Sequence, residues 1–247
     1  ALNLSTNLRP ITVNKNLMEL SPLKENIISE GIDILVVRDL LGSVICGEKK
    51  YELGLYGREA SDLEYYNEEI IKKSGKIAFE LALKRRSKVA CIDKSNVLSS
   101  SRLWKEIIKE ESINYPKVIL TNHLVDAAAM EVISAPYLFD VIVTSNMFGD
   151  ILADELSQIT GTACMLPSAE INEDGKGIFT PNQLHNPDET IIGKNKANPI
   201  GLISSAALML KYSFDLEEES QLIEKAIDKV IEKGYRTEDI YTEGNTI

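Results

Sequence analysis

Short runs of β-branched and aliphatic residues alternate along this chain with longer stretches of helical periodicity, and that alternation restricts the fold more than any other feature. IDILVVRDL, around Ile32 to Leu40, reads as a buried strand. The helix that follows places Ile70, Ser74, Ile77, Ala78 and Leu81 on one face. Asn67 suits its N-cap, and Lys84, Arg85 and Arg86 suit the negative end of its dipole. KVACID, KVILTNHLVD and FDVIVT read as further strands, each with a helix behind it: SRLWKEIIKE, AAAMEVIS and FGDILADELSQ. Repeated strand–helix units predict an α/β fold with a largely parallel core, because parallel neighbours need a crossover between them. Two more helices are expected, roughly Pro199 to Tyr212 and Leu216 to Lys233, with Ser213 or Asp215 capping the second. Ser168 to Asn198 is rich in Gly, Pro, Asn and Asp and is expected to be a long loop.

Charge and cysteine usage narrow the function classes. A net charge of -11 argues against a nucleic-acid partner, which needs a local excess of Lys and Arg, and against an anionic membrane surface. A small acidic ligand needs only a few positioned arginines. Cys46, Cys91 and Cys164 are odd in number and scattered, with no CxxC pair, which suits free thiols in a reducing compartment. The opening ALNLSTNLRP has no basic segment leading into an apolar one, and the most apolar stretch, Pro199 to Leu210, is too short to span a bilayer. A cytoplasmic protein is the expectation.

Several charged residues follow directly on the strands, where open α/β sheets bind ligands. Lys94 follows KVACID, Asp126 ends KVILTNHLVD, and Asp150 lies just beyond VIVT. Asp150 and Asp154 share a helix face, and like charges at that spacing repel unless a cation or an arginine lies between them. Carboxylates converging on one point suit a hard cation, Mg²⁺ or Mn²⁺. Arg9 in NLRP and Arg38 at the end of IDILVVR are each suited to clamp a carboxylate through two hydrogen bonds. Taken singly, each signal has a plainer reading. The aspartate pair is also a solvated helix face, Asp126 a helix N-cap, Lys94 a surface lysine and Arg38 an ion-pair partner. His123 and His185 lack metal-ligand spacing and receive no role.

The words NLRP, SPLK, VVRD, AFELALKRR, IDKSNVL, SSRLWKE, LVDAAAM, FDVIVTSNMFGDILADE, GTACMLPSA and KANPI occur in that order. The series resembles the 3-isopropylmalate dehydrogenases, which belong with the isocitrate and tartrate dehydrogenases, and it covers almost the whole chain. The resemblance implies NAD-dependent oxidative decarboxylation of 3-isopropylmalate, a step of leucine biosynthesis. It implies that Arg9 and Arg38 grip the carboxylates of a small dicarboxylate substrate. Asp126, Asp150 and Asp154 would bind Mg²⁺ or Mn²⁺, and Lys94, with Asp126, would serve the proton relay at the hydroxyl. Asn146, Asp188 and Asn198 would contact NAD. It further implies a site shared across a homodimer, or a heterodimer with a relative, with Lys94 and Asp126 of one subunit facing Arg9, Arg38, Asp150 and Asp154 of the other. The implied architecture is an isopropylmalate dehydrogenase-like two-domain α/β fold with parallel and mixed sheets. Residues 6–160 form the smaller, dimer-forming domain, and residues 1–5 and 161–247 the remaining part of the larger, cofactor-binding one.

The chain departs from the family pattern at identifiable places. It opens beyond the family's first strand and its GDGIGPE-like turn, and beyond the LxxLRK segment, and it stops after EGNTI. The family's GGxYFGE word reads GSVICGE, so Ile45 stands where a tyrosine reprotonates the enol. The cofactor loop EPVHGSAPD reads TPNQLHNPD, Thr180 to Asp188, and two extra residues precede Ala197, Asn198 and Pro199. NAD binding is therefore expected to be weakened or lost. Alternatives stand beside a working dehydrogenase: a catalytically impaired paralogue acting as a regulatory or ligand-binding subunit, or a member with altered substrate, since Val44, Ile45 and Cys46 make the pocket wall more apolar.

Overall fold

The structure is a computed structural model that describes residues 2–182 and 189–246. In chain order the elements are β1 (Thr6–Thr12), a short turn of helix α1 (Glu25–Ile28), β2 (Asp33–Asp39), a second short helix α2 (Ser43–Cys46), and the hairpin strands β3 (Lys49–Gly54) and β4 (Gly57–Asp62). Then come α3 (Glu68–Leu83), β5 (Lys88–Asp93), α4 (Ser99–Ser112), β6 (Ile119–Leu124), α5 (Val125–Ser134), β7 (Val141–Thr144) and α6 (Asn146–Ile159). The chain closes with β8 (Pro167–Ile171), β9 (Gly177–Pro181), α7 (Ile200–Ser213) and α8 (Glu217–Glu232). Asn67 caps α3 as its residue type predicts, its side chain accepting from the Ile70 amide at 3.0 Å.

A seven-stranded sheet in the order β6-β5-β7-β2-β1-β8-β9 forms the frame. The block β6-β5-β7-β2 is parallel, whereas β1 lies antiparallel between β2 and β8, and β9 pairs antiparallel with β8. The sheet is therefore mixed, and it runs without a break across residue 160, the expected division between domains. Along β2 the side chains alternate: Leu35 and Val37 enter the core under α3 and α4 with Phe79, Trp104 and Ile108. Ile34 and Val36 enter the opposite core with Ile142, Leu152 and Leu156. Both faces of the central strands are buried, as the continuous apolar runs require.

Two expectations are corrected. Pro167 to Pro181 is not loop but the β8–β9 hairpin, and the residues that suggested a loop build its turn. The Asn172 side chain accepts from the amides of Asp174 and Lys176, and Gly175 takes φ +77°. Neither Ser213 nor Asp215 caps α8. Ser213 donates instead to the Gly175 carbonyl, Asp215 lies at φ +54°, and the capping position falls to Leu216, which offers no side-chain bond. Glu217, Glu218 and Glu219 in the first turn complement the helix dipole there.

The β3–β4 hairpin stands apart as a two-stranded sheet with a Leu55-Tyr56 turn, and Tyr51, Leu53, Leu55 and Tyr56 are exposed on it. Among the described residues no helix is long and apolar enough to cross a membrane.

Candidate active site

The C-terminal ends of the parallel strands carry the charged residues. Arg38, next to last in β2, sits in register with Thr144 at the end of β7, from which the chain turns into α6. Its guanidinium lies along the first turns of that helix. Nε donates to the Asn146 side-chain oxygen at 2.9 Å, and Nη1 pairs with Asp150. Gly149 permits this approach, because a Cβ there would stand 2.7 Å from Arg38 Cγ and 2.8 Å from Arg38 Cβ. Arg9, from the antiparallel neighbour β1, pairs with Asp154 at 2.5 Å. One helical turn thus sets two carboxylates opposite two guanidiniums, so the like charges at positions 150 and 154 are each compensated by an arginine.

Both arginines are largely buried, whereas the side chain of Asp150 is 47% exposed. Burial lowers the Arg38 pKa, a tendency Asp150 opposes. Arg9 Nε is buried without a partner among the described residues, so the guanidinium that holds Asp154 keeps an unsatisfied donor.

A second cluster forms where β5 and β6 end in register, Asp93 opposite Leu124. Lys94 and Asp126 emerge there side by side and bond at 2.6 Å. Asp126 lies inside the first turn of α5, not at its N-cap, which is Leu124. The carboxylate is exposed, and the Lys94 hydrogen bond holds it below the usual aspartate range. Among the described residues no three metal-ligating side chains come together. One copy of the chain therefore offers Asp150 and Asp154 in one place and Asp126 in another. The donor chemistry, accessible carboxylate oxygens, suits a hard cation, and a complete set needs a further donor at the Asp150–Asp154 pair.

Ile45 lies on α2, half-exposed, with Lys49 Nζ donating to the carbonyls of Val44 and Ile45 at 3.0 and 2.9 Å. Ser43, where the family spells glycine, is held at φ +75°. Glu64 secures the turn, accepting from the Ser43 hydroxyl at 3.1 Å and the Val44 amide at 2.9 Å.

Of the residues linked to NAD, Asp188 lies outside the described residues. Asn146 is buried, with its amide engaged by Arg38 and by the Gly42 carbonyl. Asn198 borders a cavity of about 660 Å³ lined in part by Cys164, Asn182, Lys196 and Asp239. Its side chain donates to Asp239 at 3.1 Å and accepts from the Ile200 amide at 3.0 Å. The cavity is large enough for part of a nucleotide. Asp239, Glu64 and Gly149 were not singled out in the sequence. No spacing rule links Asp239 to Asn198, and a glycine inside an otherwise helical stretch is the one signal that could have pointed to Gly149.

A model of the isocitrate/isopropylmalate dehydrogenase family matches residues 1–247. A 3-isopropylmalate dehydrogenase of Clostridium acetobutylicum is 48% identical over 244 residues, covering 99% of this chain and 68% of the relative. One from Buchnera aphidicola is 49% identical over 240 residues, covering 96% of this chain and 65% of the relative. The chain thus spans about two thirds of the length of these proteins. Among solved structures, isocitrate dehydrogenase from Methylococcus capsulatus superposes with a TM-score of 0.84 at 26% identity, covering 98% of this chain and 69% of that one. The chain belongs to the isocitrate/isopropylmalate dehydrogenase family.

Proposed function

We propose that this chain binds a 2-hydroxy dicarboxylate of the 3-isopropylmalate type together with Mg²⁺ or Mn²⁺, and that it performs NAD-dependent oxidative decarboxylation only slowly. The observation that supports this most is the set Arg9–Asp154 and Arg38–Asp150 next to a segment in which Ile45 has no proton to give. In this reading Arg9 and Arg38 exchange their aspartate partners for the substrate carboxylates. The exchange leaves the net charge of each arginine contact unchanged and frees Asp150 and Asp154 to face a cation. Bound Mg²⁺ or Mn²⁺ supplies a Lewis acid for the oxygen that becomes negative when the hydroxyl proton leaves. Asp126 would complete the donor set from a second copy, and Lys94 beside it would belong to the proton relay at the hydroxyl, a role that requires the cation and a desolvated cleft first to make it give up its own proton.

NAD would supply the hydride acceptor; Asn198 and Asp188 would hold its adenosine end, and Asn146 would contact it from the arginine cluster, where its side chain accepts from Arg38. The rewritten segment from Thr180 to Asp188 weakens that grip. After CO₂ departs, the enol carbon needs a proton, and Ile45 offers none. The dimer is proposed to form through α5 and α6, whose Met130, Ile133, Met147 and Ile151 are exposed and apolar. A second reading, a ligand-binding subunit that pairs with an active relative, is favoured by the same Ile45.

The test is NADH formation from 3-isopropylmalate with saturating NAD and Mn²⁺. Loss of a general acid costs about 10²–10⁴ in rate. The expected turnover therefore falls well under an ordinary dehydrogenase rate of about 1–10³ s⁻¹. A parent chain already running in that ordinary range overturns the slow-enzyme reading.

A further inference from the structure

Asp39 ends β2 and is fully buried, yet no cation pairs with it among the described residues. Its carboxylate accepts only from neutral groups: the amides of Leu41 and Gly42 at 3.1 and 2.7 Å, the Tyr66 hydroxyl at 3.2 Å and the Ser74 hydroxyl at 3.5 Å. A buried carboxylate without a counter-charge is costly to maintain. The direction of the Tyr66 bond indicates what it serves. Because the hydroxyl donates to Asp39, its oxygen lone pair is left to accept, and it accepts from the Asn146 amide at 2.9 Å.

Asn146 is the first residue of α6, so this amide is one of the donors that a helix leaves unpaired at its start. Ser145, at the capping position, makes no side-chain cap bond. Tyr66, 80 residues away in sequence, supplies the cap instead. The Asn146 side chain then links the Gly42 carbonyl, at 3.3 Å, to Arg38 Nε, at 2.9 Å. Neighbouring residues of a strand point to opposite faces. The chain Asp39–Tyr66–Asn146–Arg38 therefore wraps around the end of β2 and joins the α3 side of the sheet to the α6 side. Tyr66 is fixed in that role. Its ring rests on Gly42, where a Cβ would stand 2.3 Å from it, and meets Trp104 edge-on at 5.3 Å.

We infer that Tyr66 and Asp39 are positioning residues: they hold the start of α6 and, through Asn146, aim the Arg38 guanidinium at its carboxylate ligand. The inference rests on the reading of Arg38 as a dicarboxylate-binding residue. Satisfying Asp39 alone does not require this arrangement, since the Leu41 and Gly42 amides already serve it. What the tyrosine adds is the onward bond to Asn146.

Tyr66→Phe removes the hydroxyl and keeps the ring on Gly42 and Trp104. Asp39→Asn, which keeps the volume, is the second variant. The first readout needs no ligand: solvent exchange of the Arg38 Nε–H and of the Asn146 backbone amide, followed by NMR on the 247-residue chain. Both protons are expected to be protected in the parent and to exchange at least about tenfold faster in the folded variants, while the amides of Ala90 to Ile92 in β5 stay unchanged. The second readout is affinity for malate, a 2-hydroxy dicarboxylate, in the presence of Mn²⁺. It is expected to fall about 10- to 100-fold, the scale on which residues that orient the ligands of a metal act on its affinity. An unprotected Arg38 Nε–H in the parent, or equal protection in parent and Tyr66→Phe, overturns the positioning role. Malate that fails to bind the parent overturns the dicarboxylate reading instead, and the exchange measurement still decides the rest.

Discussion

Replacing Gly149 with alanine sets helix propensity against packing, and the two predict opposite signs. Alanine in place of glycine inside a helix stabilises by about 0.8–1.0 kcal/mol on propensity alone. At this position the new Cβ would lie 2.7 Å from Arg38 Cγ, 2.8 Å from Arg38 Cβ and 3.1 Å from Thr144 Cγ2. Arg38 Cγ can swing aside, but Arg38 Cβ is attached to the backbone of a central strand paired on both sides. Helix α6 must therefore shift away from β2. Overpacking of this kind costs about 1–3 kcal/mol, which leaves Gly149→Ala destabilised by about 1 kcal/mol. For a chain of this size that is a fall in Tm of about 2–4 °C. The same shift separates Arg38 from Asp150 and Asn146, so malate affinity should fall with it. Thermal melts and malate calorimetry on parent and variant check both parts. A variant as stable as the parent, or more stable, refutes the claim that Arg38 is seated against the helix at this glycine.

The Asp126 carboxyl should titrate below the ordinary aspartate value. Because its folded pKa is lowered, chiefly by the Lys94 hydrogen bond, the pair persists above the unfolded value and is lost as pH falls through the lowered one. Carbon NMR of Asp126 should show the midpoint returning towards normal in Lys94→Met, and an unmoved midpoint contradicts the pairing. The three cysteines should react with a thiol reagent at distinct rates near neutral pH. Exposed Cys46 reacts first. Cys164 is also exposed as a residue, but it is slow because desolvation of its sulfur, and then its bond to Asp239, push its thiol up to about 12. Buried Cys91, raised by burial, stays silent until unfolding. Three thiols reacting at one rate would count against these environments.

Elements whose stability is local or strongly periodic were legible in the sequence. The α3 helix announces itself by its apolar face and by Asn67, and β2, β5 and β7 by unbroken apolar runs that only a doubly covered strand needs. Strands built by distant pairing were not. β1 contains Pro10 and begins with polar residues, and it becomes a strand because β2 and β8 flank it. The β8–β9 hairpin was hidden by its own turn residues, and β3–β4 shows no apolar face to a core. At the site, the i, i+4 spacing of Asp150 and Asp154 could be read directly, including the need for cations between them. Their partners could not, since Arg9 and Asp154 are 145 residues apart and only the sheet order joins them. Asp39 looked like the tail of a strand, and Tyr66 carried no signal at all. Their importance comes from a bond direction that spacing does not encode.

The Arg9–Arg38–Asp150–Asp154 cluster is proposed to bind a divalent cation together with a 2-hydroxy dicarboxylate. Calorimetry of Mn²⁺ binding, with and without 3-isopropylmalate, on the parent and on Asp150→Ala tests it directly. Mn²⁺ is expected to bind the parent, to bind more tightly with the dicarboxylate present, and not to bind Asp150→Ala. An Asp150→Ala chain that binds Mn²⁺ as tightly as the parent contradicts the proposed site.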